Sequence, residues 1–232
     1  MKTAIFVQAR MDSKRLPGKM MMPVAGKPLL QHVVERLQLC ARIKNVTILT
    51  SDEVTDDPIA DWCRYHSVEF FRGPLDDVYG RFVEAVEFYQ LDAFVRISGD
   101  SPLIDARLVD ELVEVFNTGS YDLVTNVMPR SFPRGESVEV LRVSMFKAKA
   151  DFITDPQERE HVTAYYYRNP SEFRIKNVSN PRGDFSSKYL CVDTAEDLEK
   201  LKQVVEYFGG AVGGHPWQEC LAAIEPGEVK HA

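Results

Sequence analysis

Between Arg10 and Lys27 the chain carries five basic residues, Arg10, Lys14, Arg15, Lys19 and Lys27, against one acid, Asp12. That local excess of positive charge stands on a chain whose formal net charge is −7, and a concentration of cations of this kind calls for an anion. Arginine forks grip phosphate oxygens in bidentate fashion, and the Ser13 hydroxyl with nearby backbone amides adds further donors. The spacing is neither a Walker loop nor a G-x-G-x-x-G fingerprint, so this is a phosphate-binding candidate of another kind, or else a solvated basic loop. Two acidic segments complement it. In Ser98-Gly-Asp100-Ser-Pro-Leu-Ile-Asp105 a carboxylate follows a glycine where a strand should end, a placement that suits a hard cation bridging phosphates. Asp193, in Cys191-Val-Asp193-Thr-Ala-Glu-Asp197, offers a second carboxylate, although Asp193 with Glu196 also reads as a helix capping box. Arg134, Glu139, Arg159 and His161 form a fourth group of polar side chains, in which the arginines could clamp a carboxylate. Residues 158–160 could equally be a solvated helix face, and His161 a packed histidine.

The elements that must carry these loops alternate. Thr3 to Val7, Val46 to Thr50, Val68 to Phe71 and Ala93 to Ile97 are short apolar runs of the kind buried on both faces of a parallel sheet. Helical spacing separates them at 28–41, 57–66 and 76–89, and continues at 107–116. Strand and helix in alternation imply parallel strands joined by right-handed crossovers, an α/β fold with helices on both faces, and α/β sheets place their chemistry beyond the carboxyl ends of the strands. After a strand at 122–125 the rhythm breaks. The reading places a single domain over 1–208, with 127–188 as a substrate-side or dimerisation insertion containing a helix at 158–168. A strand at 189–192 and a helix at 196–208 stopped by Gly209 and Gly210 follow, and 209–232 is a tail with one short helix near 217–223 and a frayed end.

Composition narrows the function. The 232 residues are 44% hydrophobic, enough for a sizeable core, and 28 basic against 35 acidic residues argue against general nucleic-acid binding. The four cysteines have no paired metal-site spacing and read as reduced thiols packed in the core. No apolar run approaches the length of a membrane span or of a signal peptide, which points to a cytoplasmic protein with no membrane partner.

Taken together, Ala9-Arg-Met-Asp-Ser-Lys-Arg-Leu-Pro-Gly-Lys19, Gly99-Asp100-x-Pro102-Leu-Ile and Val192-Asp193-Thr-Ala-Glu-Asp-Leu198 resemble the three signature segments of the acidic-sugar cytidylyltransferases, a family that includes the CMP-Kdo and CMP-acylneuraminate synthetases. The resemblance to the spore coat polysaccharide biosynthesis protein F branch extends further, to 96–105, to Pro133-Arg-Gly-Glu-Ser-Val-Glu-Val140 and to Arg159-Glu-His-Val-Thr163, and covers about residues 3 to 208. It implies a three-layer, mostly parallel glycosyltransferase-A-like fold, CTP as donor, pyrophosphate as product, Mg²⁺ as cofactor and an acidic sugar as acceptor. Carried over residue by residue, it implies a nucleotide site at Ala9, Arg10, Ser13, Arg15, Lys19, Arg72 and Ser98, with Arg72 near the cytosine. It also implies catalytic roles for Lys19, Arg15 and Asp100, and metal binding by Asp100 and Asp193. The middle segment differs from that of the Kdo enzymes, so the acceptor itself does not carry over.

Three other functions share this architecture. A sugar-nucleotide-dependent glycosyltransferase would show a strand-end Asp-x-Asp, which is absent here. A sugar-1-phosphate nucleotidyltransferase would have a loop richer in glycine. A nucleotide-binding module without catalysis would not need both Asp100 and Asp193. The aromatic run Tyr165 to Tyr167, on a helix expected to be exposed at 162–167, suggests with the resemblance a homodimer.

Overall fold

A computed structural model describes residues 1–225 of the chain. The elements run β1 (Thr3–Gln8), β2 (Pro23–Val24), β3 (Lys27–Pro28), α1 (Leu29–Leu37), β4 (Val46–Ser51), α2 (Asp57–Tyr65), β5 (Glu69–Gly73), α3 (Val78–Phe88), β6 (Ala93–Ser98) and α4 (Ala106–Thr118). They continue with β7 (Leu123–Thr125), β8 (Glu139–Arg142), α5 (Val143–Ala148), α6 (Pro156–Glu160), α7 (Ala164–Arg168), β9 (Ile175–Asn177), α8 (Ala195–Tyr207) and α9 (Trp217–Ile224).

Seven strands form one sheet in the order β5-β4-β1-β6-β8-β7-β9. The first four are mutually parallel, as the alternating apolar runs require, and β8 runs antiparallel to both of its neighbours. Alternate side chains of each strand feed two apolar layers. Ile5, Val7, Val95 and Ile97 pack with α1, α4 and α8, whereas Phe6, Phe94 and Leu141 pack with α3, α5 and α7. Helices therefore cover both faces of a mostly parallel sheet, which is the expected fold class.

Several local expectations are corrected. The basic stretch read as a loop up to Lys27 runs into the hairpin β2–β3, whose turn residues Ala25 and Gly26 both have positive φ, the geometry a two-residue primed turn demands. The helix expected over 158–168 is two short ones, α6 and α7, separated at His161, where the backbone leaves the helical region. No strand forms at 189–192. The amide of Leu190 donates to Arg134 and that of Val192 to Asp100, so the segment is divided between two loops rather than laid along one strand. The segment 127–188, read as an insertion, also contributes strands: β8 enters the sheet between β6 and β7, and β9 extends it at its edge. The helix expected to be exposed for a dimer is in the core: Val162 and Tyr166 are fully buried, and the Tyr166 hydroxyl meets that of Tyr79 at 2.6 Å. The frayed end read for the tail lies outside the described residues.

Candidate active site

The cationic loop leaves the end of β1 and is folded back on itself by its own backbone. Buried Asp56 accepts the Met11 amide at 2.6 Å together with the Ser51 amide and hydroxyl, tying the loop to the end of β4. The Met11 carbonyl accepts from the amides of Ser13 and Gly18 at 3.0 and 2.9 Å, and the Ser13 hydroxyl accepts from the Leu16 amide at 3.3 Å. This curl turns Arg10, Ser13, Lys14, Arg15 and Lys19 into a cleft of about 680 Å³, whose other walls include Gln8, Asp76, Ser98, Asp100, Glu160, His161 and Asp193.

Lys19 ties the walls together. Its ammonium is buried and donates to the Val192 carbonyl at 2.8 Å, to Asp193 at 3.1 Å and to Asp100 at 3.3 Å. Asp100 reaches this point because Gly99 lets β6 close on β1: a Cβ on Gly99 would sit 2.9 Å from the Gln8 carbonyl oxygen. Asp193 is free to face inward because the capping box lies one residue further on than Asp193 and Glu196 suggest. Thr194 caps α8, and Asp197 accepts from the backbone amides of Thr194 and Asp193. Arg15 pairs with the second oxygen of Asp193 at 2.9 Å, and Arg10 pairs with Glu160 at the end of α6 at 2.8 Å.

The cleft is thus a set of opposed charges that a ligand can re-pair. Asp100 and Asp193 are each about one quarter exposed, at 26% and 25%, so both can be reached from the cleft. Among the described residues no three metal-ligating side chains cluster. Two convergent carboxylates nevertheless fit Mg²⁺, which takes one or two carboxylates and completes its shell with phosphate oxygens and water.

The other sequence candidates are not all brought together. Ser98 and His161 line the cleft, whereas Ala9 is buried beneath it, with its amide bonded to the Leu49 carbonyl at 3.0 Å. Arg72 clamps the loop after β4, donating to the Ser51 and Glu53 carbonyls and to Asp57. Arg159 turns away to a separate hollow, where it bonds both oxygens of Asp77. Burial pushes the Asp77 carboxyl up, but the Arg159 bonds and the Gly80 amide outweigh it and leave the group below its usual range. Glu139 is buried on β8, paired with Arg96 at 2.5 Å and accepting from the Tyr167 hydroxyl, and Arg134 lies over the Tyr189 ring at 5.4 Å. Of the four acceptor candidates only His161 borders the cleft.

Sequence reasoning missed Gln8, Asp56, Asp76 and Glu160 as parts of this site. Asp56 had one legible signal, an acid in the polar stretch directly before the Asp57-Pro58 helix start. The four thiols are free, three of them buried, and Cys191 lies beside the site. Burial pushes each up to about 12, helped at Cys191 by the charges of Asp100 and Asp193.

Comparison with known proteins agrees with this geometry. The family model described as cytidylyltransferase matches residues 4–219. The spore coat polysaccharide biosynthesis protein SpsF of Bacillus subtilis is 32% identical, with 88% of this chain and 86% of that protein covered. The 8-amino-3,8-dideoxy-manno-octulosonate cytidylyltransferase of Shewanella frigidimarina is 30% identical, with coverage of 99% and 94%. Among solved structures, a cytidylyltransferase from Leptospira borgpetersenii superposes with a TM-score of 0.92 at 31% identity over the whole of both chains. The CMP:2-keto-3-deoxy-manno-octonic acid synthetase complexed with CTP shares the fold, with a TM-score of 0.71 at 19% identity over 90% of this chain and all of that one. A loop of cations closed onto two convergent carboxylates, on this sheet and with these relatives, makes the chain a member of the cytidylyltransferase family.

Proposed function

We propose that the chain transfers CMP from CTP to a hydroxyl of an acidic sugar or a related small acid, releasing pyrophosphate, as a step in making a surface polysaccharide precursor. The observation that carries this reading is the Lys19 ammonium, held between Asp100 and Asp193 in a cleft that the rest of the cationic loop also lines. The acceptor class follows the relatives, one named for spore coat polysaccharide biosynthesis and another for an amino-octulosonate.

In this reading the triphosphate lies along Arg10, Ser13, Arg15 and Lys19. Phosphoryl-type transfer leaves little covalent work to a protein, so positioning and charge stabilisation dominate. Arg15 and Lys19 stabilise the charge that gathers on departing pyrophosphate. Mg²⁺ held by Asp100 and Asp193 would supply charge neutralisation at the phosphates and lower the pKa of the attacking hydroxyl. Ser98, which lines the same cleft, would meet the nucleotide and His161 the acceptor. Among the described residues no helix is long and apolar enough to cross a membrane, in keeping with a site in the cytoplasm.

The test is pyrophosphate release from each of the four nucleoside triphosphates with Mg²⁺ and a panel of acid sugars, comparing wild type with Asp100→Ala and Lys19→Ala. Release that needs both CTP and an acid sugar and is lost in both variants supports the reading; preference for another triphosphate overturns it. A homodimer is part of the proposal, and light scattering at the monomer mass of 26.4 kDa would remove it.

A further inference from the structure

A polar row crosses the sheet just beyond its apolar layer, on the face that α3, α5 and α7 cover. Gln8 and Arg96 follow Phe6 and Phe94 by two residues on β1 and β6, so their side chains stand on the same face as those rings. Strand register sets Gln8 beside Ser98 and Arg96 beside Glu139 of β8. Arg96 donates to buried Glu139 at 2.5 Å and to the side-chain oxygen of Gln8 at 3.2 Å. Glu139 also accepts from the Tyr167 hydroxyl, which meets the Thr125 hydroxyl at 2.8 Å. Burial, and after it the charge of Glu139, pushes the Tyr167 hydroxyl well above its ordinary range, so it keeps the proton it donates.

This row decides which way the Gln8 amide faces. A guanidinium has donors only, so the atom turned to Arg96 is the carbonyl oxygen Oε1, and the NH2 group is left on the other side. That nitrogen has no partner among the described residues, and it is not one of the buried atoms left without one, so it is open to water. The water it meets is that of the cleft, which Gln8 lines. Rotamer freedom that a ligand would otherwise have to remove is already lost to Arg96 in the free protein, which is how a preorganised donor gains affinity. Charge indicates what the donor suits. Arg96 and Glu139 cancel each other, while the excess positive charge of the cleft sits in the loop after β1. A neutral, directional donor in the balanced part of a cleft suits a neutral oxygen, and in a nucleotide or a sugar acid most neutral oxygens are hydroxyls.

We propose that Gln8 donates its amide to a sugar hydroxyl of a bound substrate, on the ribose of the nucleotide or on the acceptor, and so helps to determine which sugars the cleft accepts. The identity of the substrates rests on the cytidylyl-transfer reading; the orientation of the amide does not.

Calorimetric titration tests it. Wild type and Gln8→Met, which keeps length and removes both polar atoms, are titrated in Mg²⁺ with a non-hydrolysable CTP analogue, with the 2′,3′-dideoxy form of that analogue, and with 3-deoxy-manno-octulosonate and N-acetylneuraminate on the CTP-loaded protein. Loss of one neutral hydrogen bond weakens binding of the hydroxyl-bearing partner by about 3- to 10-fold. If that partner is the ribose, the CTP analogue weakens and the dideoxy form binds wild type and variant alike. If it is the acceptor, the CTP analogue binds as before and an acid sugar weakens. Gln8→Asn, which keeps an amide but withdraws it by one methylene, shows the same loss and serves in place of Gln8→Met should that variant melt below the assay temperature. Affinities unchanged for every ligand overturn the assignment and leave Gln8 as a support for Arg96 alone. So does an equal loss for the CTP analogue and its dideoxy form, which marks a general distortion of the cleft. A wild type that prefers another triphosphate overturns the CTP reading without touching the inference, since the same ribose comparison is then made on that nucleotide.

Discussion

An ammonium has three protons to donate, and in Lys19 all three are committed, to a carbonyl and two carboxylates. It can meet a phosphate only by releasing one of these partners, so Lys19 works as a charge that changes hands. Removing it leaves Asp100 without its cation and Asp193 with Arg15 alone, and in the proposed reaction it takes one cation from the leaving group. Lys19→Ala should lower turnover by about 100-fold or more, read as pyrophosphate release. Lys19→Arg should not restore it, since a planar fork does not fit a buried seat made for a compact ammonium. Arg10 has a weaker prior claim, because its bond to Glu160 is about one third exposed. Pairs of that kind contribute at most about 1 kcal/mol, so Glu160→Gln should tighten CTP binding by no more than about fivefold, measured by titration. Basic residues around a glycine were legible in the sequence as one cationic loop. That the loop's lysine would bond to residues 81 and 174 positions away was not, because local charge says nothing of which distant loops the fold brings alongside.

Caps and turns decide where each carboxylate points. The string Asp193-Thr-Ala-Glu-Asp197 contains two overlapping capping boxes, and sequence grammar allows either. The fold selects Thr194 with Asp197, which frees Asp193 for the cleft. Thr194→Ala should cost about 1 kcal/mol in urea unfolding, and activity should fall further than stability does, since the amide bond that fixes Asp193 belongs to the same cap. Asp56 has the same function at the other end of the site. Asp56→Ala would strand the Met11 amide and the Ser51 donors and loosen the cationic loop, so a raised KM for CTP is expected. Long periodic helices and apolar strands were legible because their spacing is intrinsic to the chain. The hairpin after Met22, the break at His161 and the absent strand at 189–192 were not, because each depends on which partner takes a backbone group.

Alternation of strand and helix suffices to specify the parallel half of the sheet. The antiparallel half depends on 127–188, where the rhythm fails and only the closed sheet shows that Val140 and Leu141 are buried between neighbouring strands. Glu136 helps to hold that half in place, accepting the Asp105 amide at 2.9 Å from a fully buried position. Burial pushes its carboxyl well above the ordinary 4.5. A folded-state pKa raised in this way gives stability that is complete below the unfolded value and is lost as pH climbs toward the folded one. The melting temperature of wild type should therefore fall relative to Glu136→Gln as pH rises above the ordinary carboxylate range, and a constant difference would show that Glu136 does not titrate with folding. The four suppressed thiols have a practical consequence of a different kind. A thiol at about 12 is ionised in roughly one molecule in ten thousand at pH 8, and only the thiolate reacts with alkylating probes. A cysteine introduced at exposed Lys14 should accept a fluorophore ahead of every native one, giving a reporter on the cleft rim in the otherwise unaltered chain.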